Sequence, residues 1–186
     1  MTICSHDMPM CPQRIDPAEW DADGGAAGLG DIEEWSDRAC GMAALRMILL
    51  SRGLDAPSLT TLLRLGASQG ALTPRGWVHA GIARLAADLG LPGRAQAIDA
   101  GNLPAAIKDG PLIASVTFRF PDDGRRGGHL VVLRGYEAST ADPQILFRDP
   151  SSWGQHHDRV PLSRIACSYT GRCITFARAR PAPGGH

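Results

Sequence analysis

The chain has 186 residues, 44% hydrophobic and 20% charged, enough for one globular core and crowded for two. Its 19 basic and 19 acidic side chains cancel, which removes the electrostatic footprint expected of a nucleic-acid or anionic-membrane partner. No stretch approaches the ~20 apolar residues of a spanning helix. The opening MTICSHDMPMCPQR has neither the basic start nor the apolar run of a secretory signal, so a cytoplasmic location is expected.

Residues 1–30 are rich in Gly, Ala, Asp and Pro and end in DADGGAAGLG, which predicts a loose N-terminal arm. Residues 31–180 read as the folded domain, and PAPGGH at 181–186 as a frayed tail. Cys4 and Cys11 beside His6 lack a second ligand pair, so no metal and no cofactor are expected. From Ser36 the pattern changes: Met42, Leu45, Met47, Ile48, Leu49 and Leu50 follow Cys40 with few polar breaks, and Gly53 stands where a helix ends. A helix apolar around most of its circumference belongs in a core.

SLTTLLRLGA predicts a second helix capped by Ser58. TPRGWVHAGIARLAADLG predicts a third, with Thr73 as cap and Pro74 in the first turn, and NLPAAIKDG a short fourth. The period then switches to strands: PLIASVTFRF (111–120), HLVVLRGYEA (129–138) and QILFRD (144–149), with further candidates near 159–162 and 173–179. Helices followed by an antiparallel meander define an α+β class.

Three positions carry potential chemistry. Cys40 heads a helix, His129 opens a strand, and Asp149 ends the next strand before Pro150. Pairing of those strands places His129 and Asp149 on one edge, where a carboxylate can hold an imidazole in one tautomer and stabilise its protonated form. A helix start supplies unpaired N–H groups and the positive end of a dipole. With a protonated His added, a cysteine pKa falls from about 8.5 into the range of roughly 3.5–7.5. The same N–H groups can then receive an oxyanion.

CGMAALRMILLSRG, GGHLVVLRGYE and ILFRDPSSWG, in that order, resemble the C39 group of papain-like cysteine peptidases. That group shows a Cys-Gly heading a buried helix, a His before a VVxxGY strand, and an Asp-Pro after the next strand. The resemblance spans about residues 34–165. It implies a papain-like fold with a helical lobe carrying Cys40 and a sheet lobe carrying His129 and Asp149. It also implies a Cys-His-Asp peptidase acting through an acyl-enzyme on a peptide, such as a ribosomally made precursor whose leader is cut after Gly-Gly. No transporter segment is present, so a free-standing member is expected.

The group usually carries a Gln six residues before the cysteine as an oxyanion donor. Here that position is Glu34, an acceptor when ionised: either Glu34 is held protonated as the donor, or Ser36 or a backbone N–H substitutes, or the activity is altered or lost. Gly128, Trp77, Trp153 and His156 are candidates to line the substrate cleft, with core packing the rival reading for each Trp and a solvated loop for the His. Two rivals to hydrolysis stay open. One is a thiol acyl transferase, ligase or amidase on the same triad; the other is a catalytically impaired peptide-binding relative.

Overall fold

The computed structural model of the chain describes residues 2–122, 127–138 and 141–177. The expected tail at 181–186 and parts of the PDDGRRGG and STADP turns lie outside these residues.

The helix headed by Cys40 organises the fold. It runs over Cys40–Ser51 (here α4), and every residue from Cys40 to Leu49 except Arg46 is buried. An MAALRMILL run leaves no polar face, so the helix is stable only where other elements surround it. One side meets a seven-stranded sheet. The strands are β1 (Thr2–Ser5), β4 (Gly93–Ala97), β5 (Leu112–Thr117), β6 (Gly127–Ala138), β7 (Gln144–Arg148), β8 (Arg159–Pro161) and β9 (Tyr169–Phe176). The main order is β4-β9-β5-β6-β7-β8, with β1 pairing β6, and all these pairings are antiparallel.

Alternate residues of the central strands feed two cores. Ile113, Leu130, Val132 and Ile174 face α4 together with α5 (Leu59–Ser68) and α6 (His79–Asp88). Leu112, Ala114, Val116, Val131 and Leu133 face the opposite way, toward α7 (Leu103–Asp109) and α8 (Leu162–Ser168). Helices on both faces explain why all six residues of β5 are buried and why PLIASV lacks the alternation of a half-exposed strand. The mixed helix and antiparallel-sheet architecture is the α+β class expected.

Two local expectations need correction. The segment TPRGWVH does not begin a helix. Leu72–Thr73 (β2) and Gly76–Trp77 (β3) form a small hairpin, closed by Thr73 Oγ1 donating to the Gly76 carbonyl at 3.0 Å. Gly76 sits at φ +98°, a conformation side-chain-bearing residues rarely adopt, and the helix α6 starts only at His79. Proline at a turn outcompeted proline at a helix start, because the Gly two residues on favours the hairpin.

The lead-in is packed rather than loose. β1 pairs with the end of β6, Thr2 opposite Ala138 and Ser5 opposite Gly135. The chain then runs across the molecule: His6 N–H donates to the Arg134 carbonyl (2.8 Å) and Arg148 Nε to the Met8 carbonyl (3.2 Å). Met8, Cys11, Ile15 and Trp20 are buried in the α4 core. Three short helices follow, α1 (Pro17–Ala22), α2 (Gly25–Gly28) and α3 (Ile32–Arg38), with Asp16 and Asp31 capping the first and third through their side chains. The glycines that suggested disorder have a packing use. A Cβ on Gly25 would run into the Trp20 ring, so glycine lets α2 lie flat on it.

Candidate active site

Cys40 is the first residue of α4, and its N-cap, Ala39, offers no side chain to the first-turn N–H groups. A Ser, Thr, Asp or Asn there stabilises a helix by ~1 kcal/mol. The alanine leaves those donors and the positive end of the helix dipole directed at the cysteine. Trp77 fixes the adjacent surface. Its Nε1 donates to the Arg38 carbonyl at 2.6 Å, and its ring lies over Gly41, where an added Cβ would sit 2.8 Å from Trp77 Cδ1.

His129 lies near the start of β6, opposite Val116 of β5, and is 9% exposed. Its Nε2 donates to Asp149 Oδ1 at 2.6 Å, which leaves Nδ1 as the nitrogen for Cys40, whose side chain lies near enough to act on the ring's charge. Burial pushes the His129 pKa down. The ring's hydrogen bond to Asp149 and its contact with Cys40, with the charges of both, outweigh that and push it from 6.5 up to about 10. Asp149 is 2% exposed. Burial drives its pKa up, but the His129 hydrogen bond and charge and the Ser151 backbone and hydroxyl contacts hold it below its ordinary 3.8. One of those contacts is Ser151 N–H to Oδ1 at 2.8 Å.

The turn after Asp149 is built to keep the carboxylate still. Only a glycine fits at 154, because a Cβ there would meet the Asp149 Cβ and carbonyl. Trp153 stacks on Phe147 (centroids 5.9 Å, 3° between planes) and on His157 (4.0 Å, 7°).

Cys40 and His129 open into a cleft of about 1350 Å³ lined by the β2–β3 hairpin and the starts of β6 and β9. Gly128 and Trp77 are among the residues that line it. Trp153 and His156 do not: Trp153 packs against the second core and His156 is exposed. Glu34 and Ser36 are also outside it. Glu34 lies on the exposed face of α3, paired with Arg38 at 2.8 Å, so its carboxylate does not confront a developing oxyanion. Ser36 is buried, with its hydroxyl accepting the Ile15 N–H at 3.2 Å.

Sequence reasoning missed Gln13. Its Nε2 donates to the Ser36 carbonyl at 3.1 Å, and its N–H to the carbonyl of Pro150 at 2.8 Å. It thus ties the stretch leading into Cys40 to the turn that follows Asp149. Nothing in the local pattern CPQR signals this, because the contact depends on where the lead-in crosses.

No family model matches the sequence, and no curated protein matches it. Solved structures do. The chain is similar to a double-glycine motif protease from an AMS/PCAT transporter, solved in complex with its leader peptide. That match has 19% identity, covers 93% of each chain, and has a TM-score of 0.60. It is similar to the peptidase domain of Streptococcus ComA, a bi-functional ABC transporter of a quorum-sensing pathway, at 24% identity over 75% of this chain and 91% of that one (TM-score 0.57). A third likeness, to UfSP from C. elegans, has 16% identity and a TM-score of 0.52, with 96% of this chain lying on 34% of that one. The architecture is therefore that of C39-type, papain-like peptidase domains, as the sequence resemblance implied. No helix among the described residues is long and apolar enough to cross a membrane.

Proposed function

We propose that the protein is a cysteine peptidase that cuts a peptide substrate, a leader-bearing precursor cleaved after small residues such as Gly-Gly, using Cys40, His129 and Asp149. The observation that carries this reading is the buried, hydrogen-bonded His129–Asp149 pair beside a cysteine at an uncapped helix start. A protonated imidazole beside the sulfur favours the thiolate, which is the nucleophile.

The thiolate attacks the scissile carbonyl, and the oxygen's new charge falls on the N–H groups of the first turn of α4. His129 gives its proton to the departing amine as the C–N bond breaks, leaving an acyl-enzyme on Cys40. The neutral ring then takes a proton from water, and the resulting hydroxide releases the acid. Asp149 stays ionised and holds the ring in place. Gly41 and Trp77 give the cleft a close wall beside the sulfur, which suits glycine or alanine next to the cut. The leader complex of the transporter protease supports the choice of substrate class.

The test is incubation with a synthetic leader peptide containing Gly-Gly, read by mass spectrometry. Cleavage by the wild type and none by Cys40→Ala is expected. Transfer of the acyl group to an added amine in place of water would assign the transferase rival. Binding without cleavage would assign the peptide-binding one.

A further inference from the structure

The chain's charges cancel overall, but those lining the cleft do not. Arg38, Arg75 and Arg172 line it against a single carboxylate, Asp37. Arg38 is neutralised by Glu34 at 2.8 Å. Arg75, in the turn of the β2–β3 hairpin, and Arg172, on β9, are exposed and have no acidic partner among the described residues. His79, at the start of α6, lines the same cleft near Arg172. Its Nε2 is buried and has no hydrogen-bond partner among the described residues. Burial first, and then the nearby charge of Arg172, hold the ring below its ordinary 6.5.

A buried ring nitrogen without a partner is a cost to the fold that a ligand can remove. The neutral ring is a donor or an acceptor at Nε2 according to tautomer. Guanidinium groups fork onto the two oxygens of a carboxylate, and a charged pair of this kind is stronger than a neutral hydrogen bond. Two guanidiniums without acidic partners among the described residues, lining one cleft with an unsatisfied imidazole, form an arrangement suited to carboxylates along it.

We propose that Arg75, His79 and Arg172 form a carboxylate-recognition subsite, and that the peptide lying in the cleft carries an Asp or Glu side chain, or its own C-terminal carboxylate, at the segment passing these residues. This deepens the peptidase reading by naming the substrate's charge, and it rests on that reading for turnover but not for binding.

The experiment uses the full chain with Cys40→Ala, so that nothing is consumed, and fluorescence anisotropy of short Gly-Gly peptides bearing an uncharged dye. Residues flanking the Gly-Gly are Glu, Gln or Lys, and each peptide is made with a free and an amidated C-terminus. Glu peptides should bind tighter than Gln peptides by about five-fold for each arginine engaged, and the difference should shrink toward unity at 1 M salt. Arg75→Glu with Arg172→Glu should turn the preference toward Lys peptides, while Arg75→Lys with Arg172→Lys should keep its sign. His79→Ala should weaken the Glu peptides and leave the Gln peptides unchanged. A preference that follows amidation rather than Glu against Gln assigns the terminal carboxylate.

Equal affinities across the set, or charge reversal without effect, would overturn the subsite. The two readings fail separately. A wild type that cleaves none of the peptides its Cys40→Ala form binds selectively loses the peptidase reading and keeps the subsite. A wild type that cleaves Glu and Gln peptides with equal kcat/KM, and binds them equally, keeps the peptidase reading and loses the subsite.

Discussion

Asp149→Asn keeps the shape of a buried side chain and removes one charge. In the folded protein that carboxylate accepts from His129 Nε2 at 2.6 Å and from the Ser151 N–H at 2.8 Å. The rise of His129 from 6.5 to about 10 corresponds to about 5 kcal/mol of preference for the imidazolium, at ~1.4 kcal/mol per pH unit. Burial opposes that preference, and Asp149 and Cys40 supply it together. Removing the Asp149 charge takes away on the order of half, about 2–3 kcal/mol, while the burial remains. The imidazolium–thiolate pair should then lose about that much against the neutral pair, a factor of roughly 10–100 in its population. The assay is the rate of iodoacetamide alkylation from pH 5 to 9, followed on the Cys40 peptide by mass spectrometry because Cys167 is also an exposed free thiol. The variant should be slower by about 10–100-fold at pH 6–7 and approach the wild type as the pH rises. Its kcat/KM should fall at least as far, since the imidazole loses the carboxylate that favours its charge and fixes its orientation. Superimposable alkylation profiles for variant and wild type would refute the reasoning, because Asp149 would then not be sustaining the imidazolium at all.

Glu34→Gln should change kcat/KM by less than about two-fold, because an exposed i,i+4 pair with Arg38 contributes only ~0.3–0.5 kcal/mol; a large gain in rate would put the residue back in the oxyanion site. Gly41→Ala should lower cleavage of a leader peptide about ten-fold or more, since the new methyl displaces Trp77 and so moves the cleft wall. A variant with unchanged activity and a higher Tm, from the ~1 kcal/mol gain in helix propensity, would show that the ring yields freely. Deleting residues 1–12 removes β1 and the buried Met8 and Cys11. At ~1.5–3 kcal/mol for a fully buried apolar side chain and roughly 2–4 °C per kcal/mol, a Tm loss of about 10 °C is expected in a thermal melt. The His129–Asp149 pair also sets a pH window for stability. The Asp149 contribution is present above pH 3.8 and lost as acid protonates it, while the His129 contribution is complete below pH 6.5 and lost on the way to about 10. Tm should therefore peak between about pH 4 and 6.5, and in Asp149→Asn the dependence should flatten.

The elements that position the cysteine, the histidine and the aspartate were legible because each announces itself locally. MAALRMILL can only be a buried helix, HLVV and ILF are strands whatever surrounds them, and Asp149 before Pro150 marks a strand end. What local pattern does not carry is long-range crossing. Gln13, Met8 and Trp20 owe their roles to a path across the sheet and around α4 that no periodicity encodes, and a glycine-rich stretch reads as loose until the ring it lies upon is seen. The Thr73-Pro74 step satisfies both a helix start and a hairpin turn, and Gly76, at φ +98°, decided between them. Glu34 was placed by counting back from the cysteine, which assumes an uninterrupted approach. The short helices α1–α3 change that approach and carry Glu34 to the outside.

β1 pairs with the end of β6, so Thr2 waits for Ala138. At the ~5–20 residues per second of translation, the first strand leaves the ribosome on the order of ten seconds before its neighbour exists. Cys40 emerges equally alone, with neither His129 nor Asp149 yet made. The three residues of the candidate site therefore meet only once the strands that carry His129 and lead to Asp149 have been made and paired, so assembling the site waits on completing the sheet.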